Sequence, residues 1–335
     1  MLQCGLSAIA DLLACDDGDW CSGLAVFCGL QILSVTDMSS LWSSTSAGND
    51  SDVLLSQVLY VEKAFNPEAA KQWANSIKSL SIWLSAIYVI LVFGGQRWML
   101  SRSRFTLQVP LFIWNAVLSL FSIMGAFRTV PHLYNRLVDY GWTYSVCEPS
   151  FYVGSTGFWA FVFTMSKAYE LGDTLFLVLR RQPVIFLHWY HHITVLMYSF
   201  YSYAEHVAAA RWYMVMNYCI HSLMYTYFAL CALRLRMPSF VRMSVTSLQI
   251  LQMILGLVVS VSVILTKRHG DDCHQSYSNA GAAILMFGSY LVLFAHFFYQ
   301  QYVAQGRKKS SKLSDDKMSD LSAAEQVKKL HWWWK

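Results

Sequence analysis

Seven long apolar stretches dominate the chain, near residues 79–99, 109–128, 157–179, 184–204, 208–232, 240–265 and 279–303. Each is long enough to cross the ~30 Å hydrocarbon core of a bilayer as a helix. Hydrocarbon offers no partner to backbone N–H and C=O groups, and a helix satisfies its own. The predicted fold class is therefore an all-α integral membrane protein with seven transmembrane helices. The third stretch is the weakest of the seven, because Lys167, Glu170 and Asp173 lie inside it. Composition agrees with this class. Of 335 residues, 56% are apolar and 13% charged, against about 45–50% and about 25% in soluble domains. Mean hydropathy is +0.37. A soluble enzyme, a disordered protein and a nucleic-acid binder are largely ruled out.

In a membrane protein the basic residues report topology. Residues 1–60 contain no Lys or Arg and carry several aspartates. The loops holding Arg97, Arg102, Arg104, Arg180, Arg181, Arg234, Arg236 and Arg242 alternate with poorer ones holding Arg136, Arg211, Lys267 and Arg268. A lysine-rich tail follows the last stretch. The positive-inside rule places the C-terminus in the cytosol, and seven spans then place the N-terminus in the lumen. The expected division is a luminal N-terminal extension at 1–60, a membrane domain at 61–305 and a cytosolic basic tail at 306–335. Residues 21–35 are too short for a span, and no basic residues precede them as in a signal peptide. Asn49 heads a glycosylation sequon that would be luminal. Cys147 and Cys273 fall in two luminal loops, where the compartment permits a disulfide. A bridge between them would tie spans two and three to spans six and seven.

An ionisable group at mid-bilayer costs at least ~2.5–3.5 kcal/mol. Several on adjacent spans must share a polar interior. Lys167, Glu170, Asp173 and Thr174 lie on one side of a helix; an ion pair that only stabilises the bundle would also account for them. His188, His191 and His192 set three imidazoles on one stripe, which is hard to explain as core packing. Asn217, His221, Met224, Tyr225 and Tyr227 follow another helix, where interhelical hydrogen bonding is the plainer explanation. Thr246, Gln249 and Gln252 can bond to a neighbouring helix or line a polar chamber. His296 is a further candidate. A polar chamber inside an apolar wall suits a substrate with a polar head and a long apolar chain.

Two chemistries fit the histidines. Imidazole is the commonest metal-binding side chain, and a short HxxHH box also occurs in metal-dependent membrane desaturases and hydroxylases. Those proteins spread about eight histidines over three boxes. This chain has no second box, although Glu170 and Asp173 can add ligands. The other chemistry is metal-free acyl transfer, with imidazole as nucleophile, general base or general acid. A seven-span receptor or transporter would share the topology but leaves the histidine stripe without a purpose.

KAYELGDT, HWYHH, HSLMYTYF and TSLQILQ stand in this order over residues 167–252. They resemble the KxxExxDT, HxxHH, HxxMYxYY and TxxQxxQ boxes of the very-long-chain fatty acid elongases. HWYHH and SLFSIMGAFRT look most like the branch, members numbered six and three, that extends saturated and monounsaturated acyl-CoA. The resemblance covers roughly residues 60–305. Phe228 departs from it, standing where the family usually has a tyrosine. Lys328 and Lys329 lie too far from the end to match the family's dilysine retrieval signal.

The resemblance implies a 3-oxoacyl-CoA synthase that condenses a long-chain acyl-CoA with malonyl-CoA, without metal or resident cofactor. It implies residence in the endoplasmic reticulum membrane, with helices two to seven forming an inverted barrel around an acyl tunnel. It also implies the Cys147–Cys273 bridge. His191 is the expected nucleophile, with His188, His192, His221, Lys167, Glu170, Asp173 and Asn217 around the reaction. Two arrangements are open for Asp173: it can pair with Lys167 alongside Glu170, or orient a histidine tautomer, as carboxylates do elsewhere. Thr174, Tyr225, Tyr227, Gln249 and Gln252 are expected substrate contacts. Arg180, Arg181, Arg234 and Arg236 are expected at the cytosolic mouth, near the anionic CoA head. The reductases and dehydratase of the elongation cycle are the expected partners, and a homo-oligomer is compatible with all of this.

Overall fold

The structure, a computed structural model, describes residues 60–304. The extension with its sequon at Asn49, and the basic tail with Lys328 and Lys329, lie outside the described residues. Among the described residues all regular structure is helical.

Two short helices, α1 (Tyr60–Lys63) and α2 (Pro67–Ile77), open the described chain. Asn66 caps α2 by accepting from the Ala69 amide at 3.0 Å, and Pro67 takes the first turn, where a missing N–H costs nothing. The longer elements are α3 (Leu80–Met99), α4 (Gln108–Cys147), α5 (Gly154–Tyr169), α6 (Gly172–Leu179), α7 (Phe186–Ala204), α8 (Ala210–Ala232), α9 (Ser239–Arg268) and α10 (Tyr277–Phe298). A 3-10 turn at Ser150–Tyr152 links α4 to α5. Pro183 lies just before α7, and Pro238 just before α9, where each blocks continuation of the preceding helix.

All seven expected stretches fall on helices, with two differences. The second does not end near residue 128. α4 runs on to Cys147, because Leu133 and Val146 bury the apolar side of a segment whose charges had the look of a loop. It kinks at Gly141, whose φ of 79° is a left-handed conformation that glycine adopts freely. The third stretch is two helices, α5 and α6. Between them the Asp173 and Thr174 amides bond back three residues, to Glu170 and Leu171, and tighten the turn.

Four helical segments are long and apolar enough to cross a membrane: Leu80–Met99, Gln108–Cys147, Ser239–Arg268 and Tyr277–Ala304. In α5, α6, α7 and α8 the polar side chains or the shorter length hold that measure down. Packing runs from helix to helix: α4 on α5, α5 on α7, α7 on α10, α10 on α9, α9 on α8, and α8 back on α4. α3 packs outside, against α6 and α7.

Polarity is inverted relative to a water-soluble bundle. Arg211 and Lys167 are among the most completely buried side chains, while Ile90, Leu285 and Trp83 are 70%, 76% and 67% exposed. Apolar outer faces of this extent fit lipid, not water. The molecule is an integral membrane helical protein.

Candidate active site

Lys167 and Glu170 sit at the end of α5, on the face turned to α8. Lys167 Nζ donates to Glu170 Oε1 at 2.7 Å and to Asn217 Oδ1 at 2.9 Å. Asn217 Nδ2 contacts His221 Nε2 at 3.0 Å. An amide nitrogen can only donate, so His221 Nε2 accepts and the neutral ring carries its proton on Nδ1. That nitrogen lies 3.9 Å from Glu170 Oε1. Ser166 Oγ donates to the same oxygen at 3.1 Å. Four sequence-predicted residues, two at the end of α5 and two on α8, thus close one polar loop. Burying a charge this deeply is tolerable only because it is paired and hydrogen-bonded. Glu170 Oε2 is buried with no partner.

Asp173 does not orient a histidine. Its carboxylate accepts from Trp114 Nε1 at 2.6 Å and from Tyr225 OH at 2.8 Å. Both donors come from other helices, α4 and α8, and they occupy one oxygen each. Gly172 makes room for this: a Cβ there would stand 2.6 Å from the Trp114 ring. Thr174 bonds His188 Nε2 at 2.8 Å and Tyr88 OH at 2.8 Å, tying α6, α7 and α3 together.

The three histidines of the stripe therefore have three environments. His188 is held by Thr174. His192 is buried between His188 and His191, its Nδ1 without a partner. His191 alone faces the internal cavity. Among the described residues, none hydrogen-bonds either ring nitrogen of His191. Its backbone turn is instead fixed from α10. Tyr290 OH donates to the His191 carbonyl at 3.2 Å and bonds Thr194 Oγ1 at 2.5 Å.

About 60 Å³ of the cavity is open to water-sized groups. His191, Asn217, Gln252 and Tyr290 line one end. From there it runs past Val195, Met214, Met253 and Phe287 to Phe151, Tyr152 and Tyr203.

Several expected contacts lie elsewhere. Gln249 donates to Met224 Sδ at 3.3 Å and is absent from the cavity wall. Tyr227 packs beside Phe228, whose ring is 43% exposed, so the hydroxyl missing at Phe228 falls on the outer surface. His296 is also exposed. Arg181, Arg234 and Arg236 are exposed and Arg180 is half-buried, all at the ends of α6 and α8 opposite the disulfide. Cys147 and Cys273 are bonded. Among the described residues no three His, Cys, Asp or Glu side chains gather as metal ligands. Sequence reading missed Trp114, Tyr88, Ser166, Thr194 and Tyr290, which are aromatic or hydroxyl residues in apolar stretches and carry no contrast there.

An apolar exterior, a buried ion-pair network and a cavity-facing histidine that no described residue hydrogen-bonds define a multi-pass membrane enzyme. The chain belongs to the ELO (GNS1/SUR4) family, whose profile matches residues 73–310. It is 47% identical over 277 residues to a very long chain fatty acid elongase 6 of Drosophila melanogaster, covering 82% of this chain and 86% of that one. It is 46% identical to the human protein of the same name, over 76% of this chain and 97% of that one. A human very long chain fatty acid elongase 3 is 39% identical, over 75% and 92%. The chain is a fatty acid elongase, a transferase of lipid biosynthesis.

Proposed function

We propose that this chain catalyses the condensing step of elongation. A long-chain acyl-CoA and malonyl-CoA give a 3-oxoacyl-CoA two carbons longer, with CO2 and free CoA. The observation that carries the reading is His191, set on the cavity wall with neither ring nitrogen hydrogen-bonded to a described residue. Elongase relatives at high coverage supply the substrate class.

The reaction divides into two halves. A ring nitrogen of His191 attacks the acyl thioester carbonyl. The C–S bond breaks, CoA leaves as its thiol, and the chain stays as an acyl-imidazole along the cavity. Malonyl-CoA then loses CO2, and the electron pair of the broken C–C bond forms an enolate without a strong base. The enolate carbon attacks the acyl carbonyl, the C–N bond breaks, and the departing imidazole takes up a proton from water to replace the one that left with the CoA thiol, restoring neutral His191. Fixed donors must meet the developing negative charge. Asn217 and Gln252 share that end of the cavity, with Lys167 one hydrogen bond behind Asn217. His221 holds Asn217 in register, while His188 and His192 keep the turn of α7 that presents His191.

The wider setting belongs to the same proposal. Seven spans, with α4, α5, α7, α10, α9 and α8 as an inverted barrel, fit the packing order that returns from α8 to α4. The N-terminus is luminal and the C-terminus cytosolic, in the endoplasmic reticulum membrane. Arg180, Arg181, Arg234 and Arg236 then lie at the cytosolic face, where the CoA phosphates stay in water. No metal takes part, and the reductases and dehydratase of the cycle receive the product.

The test uses purified protein stripped with a chelator and given palmitoyl-CoA and radiolabelled malonyl-CoA. A labelled 3-oxoacyl product, lost in His191→Ala, is expected. Intact mass after palmitoyl-CoA alone should show an acyl adduct on the unmodified protein and none on the variant. Turnover without any adduct would remove the covalent route and leave His191 as a base. Stoichiometric iron with no condensation product would turn the reading to a desaturase or hydroxylase.

A further inference from the structure

A second buried cation lies at the end of the bundle that carries the disulfide. Arg211 stands in the first turn of α8 and is 0% exposed. Its guanidinium keeps its charge throughout the range in which proteins work. Nη2 donates to the Glu148 carbonyl at 2.7 Å and to Ser150 Oγ at 2.9 Å. The guanidinium carbon lies 5.3 Å from the centre of the Phe151 ring. Nε and Nη1 are buried with no partner.

These contacts fix the group without neutralising it. A carbonyl and a hydroxyl carry no net charge, and a ring face offsets only part of the cost of taking a cation out of water. Among the described residues, no carboxylate forms an ion pair with Arg211. The Glu148 carboxylate acts on it favourably, but from beyond ion-pair distance. Arg136, on α4, acts in the opposite sense. His132, also on α4, lies within range of both arginines, and its Nδ1 is buried with no partner. Lys167, buried just as deeply, has Glu170 against it. A water molecule at Arg211 would accept a hydrogen bond and leave the charge unmet.

We infer that Arg211 and His132 hold a small, singly charged inorganic anion of the chloride class. Nε and Nη1 supply donors, and the neutral imidazole supplies one more in the tautomer protonated at Nδ1. One enclosed guanidinium calls for one negative charge. Enclosure also selects for size: a lipid phosphate is tethered to its chains, and the tether would have to pass out through the packed wall. An ion shared by α4 and α8 clamps those two helices together. Because it binds the folded chain alone, it stabilises that chain by mass action.

The experiment melts the purified full chain in detergent at constant ionic strength, replacing gluconate stepwise by chloride and, in parallel, by bromide. The midpoint should rise with either halide, and equilibrium dialysis with radioactive chloride should find about one ion per chain, as the single guanidinium requires. Arg211→Gln removes the charge, so it should bind no chloride and melt at the same temperature in either salt. Arg211→Lys keeps the charge with fewer donors. It should raise the half-saturating chloride concentration by about 10-fold, the worth of one charge-assisted hydrogen bond, and it serves as the test if the glutamine variant fails to fold. A midpoint indifferent to halide, or chloride binding that survives both substitutions, would overturn the site. A phospholipid retained by the parent and lost from Arg211→Lys, with no chloride bound, would overturn it in favour of a lipid phosphate. Neither readout uses turnover, so this result stands apart from the proposed function.

Discussion

The two ends of the cavity solve burial in opposite ways. Around His191 the neighbouring side chains are polar, and most are satisfied in pairs: Lys167 with Glu170, Asn217 with His221, Asp173 with Trp114 and Tyr225, Thr174 with His188. At the far end, rings stack on rings and a disulfide frames the loops. The first end is fixed by directional bonds between helices, so its geometry fails one pair at a time. The second is fixed by packing and covalent closure, so it changes shape only when bulk is removed. Chemistry needs the first kind of order and a boundary needs the second.

The comparison predicts where damage goes. The largest effect is expected at the polar end. His191→Ala should lower single-turnover condensation by roughly 1,000-fold, inside the ~100–10,000-fold that a catalytic imidazole commands, while thermal stability stays close to that of the parent. Lys167→Ala leaves the Glu170 carboxylate buried and unpaired, and should cost ~3–5 kcal/mol of stability. The paired change Lys167→Met with Glu170→Gln should cost less, which a thermal melt in detergent would read. Were Lys167→Ala no more damaging than the double variant, the network would not be the constraint described.

At the far end, Cys147→Ser with Cys273→Ser should cost ~2–4 kcal/mol. Condensation measured well below the melting midpoint should change far less than that midpoint does, so a thermal melt in detergent set beside an activity assay separates the two effects. Gly172→Ala sharpens the boundary between the regions. Its Cβ would press on Trp114, costing ~1–3 kcal/mol as overpacking does, and should slow condensation by loosening Asp173.

The smallest effect concerns pH. His206 lies in the loop between α7 and α8. Burial holds its ring down at about 4 instead of 6.5, with the nearby charges of Lys71 and His274 acting in the same direction. The unfolded chain therefore takes up the proton first. Stability contributed by the neutral ring is fully present above pH 6.5, falls as pH drops from 6.5 toward 4, and levels off below that. His206→Gln should flatten that slope in melts taken across the window.

The polar end was largely legible in the sequence, because an ionisable residue in an apolar stretch is costly and stands out. Lys167, Glu170, Asn217 and His221 were singled out and they meet. The far end was not legible. Tyr152 and Tyr203 are aromatic residues among aromatic residues, and only the fold shows that their rings close a wall. The bonding of Asp173 was not legible for the same reason. Its partners, Trp114 and Tyr225, come from distant helices and nothing marks them locally. The break between α5 and α6 also escaped notice, since both flanks are apolar and helical and the change is a tightened turn.

The inverted polarity of the bundle decides where it can exist. Ile90, Trp83 and Leu285 face outward while Lys167 and Arg211 are enclosed. Water would reward the opposite arrangement, so the oily surroundings act as a structural component: remove them and the outer faces have nothing to rest against.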